Sequence, residues 1–193
     1  GNTLAWSNGE GTQSNEEGAK PQVVVLNFEP WAMPAELAEL FEAKEQACRA
    51  SQQVFAKLSA GQLNFKPSNG THTPRWNAEH MMGRELGFFS EIYQRQLPGV
   101  IRHLDLNPKQ MPPDYVAAHP EWSGAEEARQ MERVSKFTRR FAYLLDGLPL
   151  DEKAPGSFWT PRRLLKQMER HYNEHTANVN KKFELADWPA DNQ

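Results

Sequence analysis

The sequence predicts an all-α protein built as a four-helix bundle. Three observations support this class: four long segments carry apolar residues at helical spacing, no segment shows a convincing sheet pattern, and the chain has no internal repeat. A chain of 193 residues is long enough to bury one core of this kind, whereas two separate domains would both be small.

Composition excludes several classes of function. A formal net charge of -3 gives no electrostatic reason to expect nucleic acid as a partner. The mean hydropathy is -0.77, and the apolar runs are too short to cross a bilayer, so no membrane partner is expected either. The single Cys48 excludes an internal disulfide and a cysteine-based zinc site, and its place on an apolar stripe indicates a core residue.

The first 33 residues are predicted to be a flexible leader followed by an extended arm. Residues 1–21 are rich in Gly, Asn, Ser and Glu and offer little to bury. Residues 23–26 fit a short strand or an extended arm that has to lie on the domain or on a partner. Because Gly1 stands where Met is expected, the compartment stays open between cytoplasmic and exported with a leader removed.

The first helix is predicted over residues 34–60. Its apolar residues keep a helical stripe that Lys44 and Ser51 interrupt. Gly61 is predicted to end it as a C-cap.

The second helix is predicted to begin at Thr73-Pro74 and to run to about residue 97. Threonine is a good N-cap, and proline at the first helical position loses no needed hydrogen bond. Gly83 and Gly87 lie inside this helix at a cost in stability, which indicates close packing or access to a site.

A long, proline-rich connection over residues 100–122 separates the second and third helices. Such a length is typical of a crossover or a loop that covers a site. The third helix is predicted from Ser123, with Glu126 as its capping-box partner, to Gly147. Residues 186–193 are a polar tail.

The fourth helix, over residues 160–183, carries the strongest chemical signal. It repeats the Thr-Pro start at Thr160-Pro161, and His171 and His175 lie four residues apart, so both rings share one face. Such a pair can bind one metal ion together with a third ligand.

His80 is the candidate for that third ligand. If the second and fourth helices start at the same end of the bundle, His80 lies at a depth comparable with His171 and His175. Three imidazoles would then leave a fourth coordination position for water. Three neutral nitrogen ligands suit a borderline divalent cation such as zinc, nickel or iron. The ligand set alone does not identify which of these metals binds.

Two carboxylates flank these histidines. Glu174 is the candidate catalytic base, and Glu79 is a second carboxylate for base duty or for orienting a ligand. The run from His171 to His175 also fits the His-x-x-Glu-His pattern of inverted zinc peptidases. That fold needs a sheet and a further downstream ligand, and few residues follow His175.

Three short motifs resemble those of a known family. They are Leu-Ser-Ala-Gly-Gln-Leu-Asn-Phe-Lys-Pro at 58–67, Arg-Trp-Asn-Ala-Glu-His at 75–80, and the His-x-x-x-His of the last helix. In order and spacing they are similar to the DinB-like (DinB/YfiT) superfamily of metal-binding four-helix bundles. The resemblance covers residues 34–183, and the bundle domain is predicted at 34–185. The resemblance implies a divalent metal held by His80, His171 and His175.

The resemblance also implies a homodimer in many members and, in some relatives, thiol-dependent transferase or isomerase activity. The hypothesis is therefore a metal-dependent hydrolase or low-molecular-weight-thiol transferase acting on a small molecule. The alternative is a non-catalytic bundle with a structural or vestigial metal site that acts by binding a partner or a small molecule. The N-terminal extension and the long connection depart from simple members, so the substrate class does not carry over.

Overall fold

The computed structural model describes most of the chain and divides it into two units, Gly1–Met33 and Pro34–Gln193. The described residues are 2–7, 23–28, 31–108 and 113–190. The predicted leader residues 8–22 and the last three residues of the polar tail lie outside them.

The first unit contains a two-stranded antiparallel sheet made of β1 (Asn2–Ser7) and β2 (Val23–Phe28). Residues 23–26, for which a short strand or an extended arm was expected, lie in β2. Asn2–Ser7, within the segment expected to be a flexible leader, pairs with β2 in a register that places Leu4 opposite Leu26. A strand satisfies its backbone groups only through a partner, and the distance in sequence between these two segments concealed the pairing.

The second unit is an all-α bundle, which confirms the predicted fold class. Its α-helices are α1 (Ala35–Phe55), α2 (Ala60–Leu63), α3 (Pro74–Gln96), α4 (Gly124–Arg140) and α5 (Pro161–Lys182). The long helices α1 and α3 each pack against both α4 and α5. None of the described helices has the length and apolar character of a segment that crosses a bilayer.

The predicted helix starts are confirmed. The hydroxyl oxygen of Thr73 accepts a hydrogen bond from the Trp76 backbone N–H, and that of Thr160 accepts one from Arg163. Ser123 caps α4 in the same way. Each cap satisfies an N–H group that has no partner inside its helix.

The first and third helices end earlier than predicted. Helix α1 stops at Phe55, and Ser59 starts the separate α2 with a complete capping box to Gln62. Gly61 therefore lies inside α2 and is not a C-cap. Helix α4 ends at Arg140 and is followed by a 3-10 helix at Ala142–Leu145.

Large apolar side chains from all four long helices form the core of the second unit. Those that are fully or almost fully buried include Phe41, Phe55, Phe89, Ile92, Met131, Leu164, Met168 and Val179. Burial of each such side chain contributes about 1.5–3 kcal/mol. Cys48 is fully buried among them, which confirms its interpretation as a core residue.

A buried ion pair crosses this core. The Lys44 ammonium lies 2.9 Å from a Glu85 carboxylate oxygen, and neither side chain has any exposed surface. The Tyr172 and Thr138 hydroxyls also donate to Glu85. The lysine that interrupted the apolar stripe of the first helix therefore has a charged partner on α3.

The long connection is held against the bundle by Arg75, a fully buried residue of α3. Its guanidinium donates to Glu127 of α4 and to the carbonyl oxygens of Pro120 and Trp122. These bonds fix the last residues of the connection near the start of α3.

The middle of the connection runs directly over α3 at Gly83 and Gly87. A Cβ atom on Gly83 would lie 2.5 Å from the Cα of Asn107, and one on Gly87 would lie 3.6 Å from the Leu104 carbonyl oxygen. The backbone of the connection thus reaches Gly83 only because this residue has no side chain. Of the two predicted reasons for these glycines, close packing applies to Gly83, whereas a Cβ atom on Gly87 would make only an ordinary van der Waals contact.

Candidate metal centre

The structure brings His80, His171 and His175 together. One ring nitrogen from each lies within 4.8 Å of the other two. Helix α3 supplies His80, and two successive turns of α5 supply the others, so all three rings meet between these helices. His171 is 8% exposed, whereas His80 and His175 are half-buried.

The hydrogen bonds of Asn77 determine which nitrogen of His175 is available. The Asn77 amide nitrogen donates to the Thr73 carbonyl oxygen, which directs its oxygen toward the ring of His175. That oxygen lies 2.7 Å from His175 Nδ1, so Nδ1 carries the proton. The Nε2 lone pair of His175 is then free to bind a cation.

Asn107 of the long connection does the same for His80. Its side-chain oxygen lies 2.7 Å from His80 Nδ1, where it accepts the ring N–H and leaves Nε2 with a free lone pair. The close approach of the connection at Gly83 is what brings Asn107 to this position. Histidine ligands of metals commonly donate their second ring N–H to such an acceptor.

The third ring completes a donor set that fits a divalent cation. His171 Nε2 lies 3.0 Å from His80 Nε2, close to the separation of about 3.3 Å between two nitrogens bound tetrahedrally to zinc. The other nitrogen, His171 Nδ1, is buried and has no hydrogen-bond partner among the described residues. A bare Nε2 on His80 needs a cation or a proton between the two rings.

Burial keeps these imidazoles neutral. It lowers the pKa of His171 to about 3, with further lowering by His175 and His80. It lowers the pKa of His175 to about 4, helped by His80, and it also lowers the pKa of His80. Neutral imidazole is the form that coordinates metals, so burial keeps the three rings in the charge state that a cation requires.

Trp76 supports the cluster from one side. Its indole stacks on His80 with the ring centroids 4.5 Å apart, and His72 stacks on its other face at 3.5 Å. His72 lies before α3 and outside any helical pattern, so its sequence position does not mark it as part of the site. Tyr172 is fully buried and packs in the core.

A cavity of about 420 Å³ opens beside the cluster. His175, Asn77 and Trp76 form the wall on the side of the histidines. Thr71 and Lys182 also line this cavity. The half-buried His175 therefore connects the cluster with a space large enough for a small molecule.

Comparison with known proteins agrees with this geometry. The family model described as the DinB superfamily matches residues 43–179. The chain belongs to the DinB superfamily. Searches of curated proteins and of solved structures returned no significant match. The match includes His80, His171 and His175, and membership together with the histidine cluster is compatible with metal binding.

The carboxylates do not join the cluster in this DinB-superfamily protein. Glu174 has a 61% exposed side chain that faces Arg170 at 3.6 Å, away from the ring nitrogens. Glu79 accepts the Ala118 backbone N–H, and burial raises the pKa of its carboxyl group. No Asp or Glu in the described part of the chain supplies a ligand atom to the three-histidine group.

Two further observations exclude other ligands and another fold for the site of this DinB-superfamily protein. His103 and His119 lie in the long connection, with 41% and 48% exposed side chains, and neither reaches the cluster. The described residues after Met33 contain no strand, so the sheet that an inverted zinc peptidase requires is absent from that part of the chain.

Replacing Asn77 with alanine is expected to weaken metal binding about 10- to 100-fold, because His175 loses the acceptor that orients its ring. A competition titration against a chromophoric chelator measures this affinity. Asn178→Ala is the matched control, since Asn178 is exposed and lines the same cavity without a hydrogen bond to a cluster histidine. Equal affinities for the two variants would contradict the positioning role.

Proposed function

We propose that the protein is a metal-dependent enzyme in which His80, His171 and His175 hold one divalent cation. The observation that supports this best is the convergence of three neutral ring nitrogens, two of them oriented by Asn77 and Asn107. Two amides that orient two rings in this way are typical of the outer shell around metal ligands. The nitrogen donor set suits zinc, nickel or iron.

The number of ligands favours catalysis over a structural role. Structural zinc sites are closed by four protein ligands, whereas catalytic sites keep one position open. The group found among the described residues has three members, and one of them, His175, borders the cavity. A small-molecule substrate would enter through this cavity. The non-catalytic alternative has no comparable observation in its favour.

The chemistry proposed is the transfer of a low-molecular-weight thiol. A bound divalent cation acts as a Lewis acid and lowers the pKa of a thiol or water that reaches it. A thiol has an ordinary pKa of about 8.5, against 15.7 for water, so it needs far less help from a base. No carboxylate of the described residues contributes to the three-histidine group. Thiol transfer depends less on a base than hydrolysis does, so it suits this site better.

In this reaction the protein positions the reactants. The sulfur forms a bond to an electrophilic carbon of the second substrate, the bond from that carbon to its leaving group breaks, and the thiol proton passes to solvent. The cavity beside His175 holds the thiol, and the stacked Trp76 limits the approach of water from one side. Hydrolysis of a small ester is the competing reaction class to be tested.

The first experiment is elemental analysis of protein purified without an affinity tag or a chelator. We expect close to one divalent metal per chain. The protein is then assayed with a panel of small thiols and an activated aryl halide, from which the thiol displaces halide, and separately with nitrophenyl esters. Thiol transfer that is lost with a chelator and restored by zinc, nickel or iron is the expected result. Protein that neither contains metal nor takes it up would refute the proposal.

A further inference from the structure

Lys182 is a nearly buried cation without an acidic partner. It is the last residue of α5 and is 5% exposed. Its ammonium donates one hydrogen bond, at 3.1 Å, to the hydroxyl oxygen of Thr71. Among the residues that the structure describes, no carboxylate lies within ion-pair distance of it. A buried charge without a counter-ion is costly, so its presence requires a compensating role.

The position of Lys182 points to that role. It lines the same cavity as His175, and the two residues are seven apart on α5, so they share a helix face. At the helical rise, seven residues span about 10.5 Å along the axis. The cavity is therefore lined by a candidate metal-binding histidine and, about two turns further along the same helix, by an ammonium group.

The polar groups near Lys182 do not supply the missing negative charge. Thr71 donates its own hydroxyl proton to Asn69, so its oxygen is an acceptor for Lys182 and carries no charge. Lys181 also lines the cavity but is exposed. The cavity wall thus presents positive charge and no described carboxylate, which suits an anionic ligand.

We propose that Lys182 is the anion-binding group of the substrate pocket, and that the thiol substrate carries a carboxylate which pairs with the Lys182 ammonium while its sulfur lies at the histidine cluster. This inference rests on the proposed function. It names the substrate class as a small thiol with its carboxylate several bonds from the sulfur. A single ammonium matches the single charge of a carboxylate better than the double charge of a phosphate.

Burial of the ammonium makes the pairing effective. Desolvation lowers the pKa of Lys182, because the charged form is disfavoured away from water. A carboxylate in the cavity reverses this effect and gains a charge-assisted hydrogen bond in a region of low dielectric. The ligand is therefore selected by charge at one end and by the sulfur at the other.

The test uses the whole protein loaded with cobalt(II), whose spectrum reports both metal binding and thiolate coordination. The probes are mercaptocarboxylates of increasing chain length, each compared with the mercaptoalcohol and the mercaptoalkyl phosphate of the same length. At the best length, the carboxylate is expected to bind at least about tenfold more tightly than the alcohol. Lys182→Met should remove this preference, so that the carboxylate and the alcohol bind with similar affinity.

Two variants serve as controls. Lys182→Arg keeps the positive charge and should retain most of the preference, and Lys181→Met removes the exposed neighbouring charge and should change little. Circular dichroism checks that each variant is folded. Equal affinity for the carboxylate and the alcohol in cobalt-loaded parent protein would overturn the inference alone. Tighter binding of the mercaptoalkyl phosphate than of the mercaptocarboxylate would overturn the carboxylate assignment. Failure of the protein to bind cobalt would overturn the proposed function as well.

Discussion

Replacing both His171 and His175 with alanine is expected to abolish metal binding. The double variant leaves His80 as a single imidazole, and one nitrogen ligand cannot hold a divalent cation against water and buffer. The two residues supply two of the three converging ring nitrogens, so no described group can replace them. Elemental analysis of the purified variant, beside the parent protein prepared in the same way, measures the loss.

The matched control removes the same number of histidines elsewhere. His103→Ala/His119→Ala changes two exposed histidines of the long connection that do not reach the cluster. This variant should keep the metal content of the parent protein. If the control loses as much metal as the double variant of α5, or if the double variant keeps its metal, the ligand assignment is wrong.

Replacing Lys44 with methionine is expected to lower the free energy of unfolding by about 3–5 kcal/mol. Methionine has a similar volume, so little packing is lost, but the Glu85 carboxylate stays buried without its cation. Tyr172 and Thr138 still donate to Glu85, and these neutral hydroxyls cannot offset the charge. Urea unfolding followed by circular dichroism measures the change.

A second substitution distinguishes loss of charge pairing from loss of packing. In Lys44→Met/Glu85→Gln the buried charge is gone, and the glutamine can still accept from Tyr172. This double variant should recover much of the stability lost by Lys44→Met alone. A double variant that is no more stable than Lys44→Met would show that the unpaired carboxylate does not cause the loss.

The helices were predictable because their signals are local. Thr73 and Thr160 cap their helices as expected, and each is followed by proline at the first helical position. The errors in the first and third helices have a local cause too. Apolar periodicity continues across Ser59 and past Arg140, whereas the Ser-x-x-Gln capping box at Ser59 starts a new helix and the chain after Arg140 tightens into a 3-10 turn.

The partners of polar core residues were not predictable. The sequence marked Lys44 and Ser51 as interruptions in an apolar stripe, and the structure pairs them with Glu85 and Thr176 on other helices. Nothing in the local pattern names a partner that lies 41 or 125 residues away in the chain. Only the crossing of the helices determines which polar groups meet.

The candidate site, too, was predictable from local spacing in part and depended on tertiary contacts for the rest. Helical spacing alone placed His171 and His175 on one face, and the shared Thr-Pro starts placed His80 at a comparable depth. The positions of Asn107 and Glu174 depended on tertiary contacts. Asn107 reaches His80 because the connection packs on Gly83, and Glu174 points to solvent because its helix face lies away from α3.

The helical class, the helix starts and the three histidines could be predicted from the residues alone, because each depends on spacing within one or two helices. The atoms that surround those histidines became known only from the packing of the helices and the long connection. This packing brings Asn77 and Asn107 to the ring N–H groups and leaves a cavity that both His175 and Lys182 line. These relations depend on how helices and a long loop pack together, and packing between distant segments leaves no periodic signal in the chain.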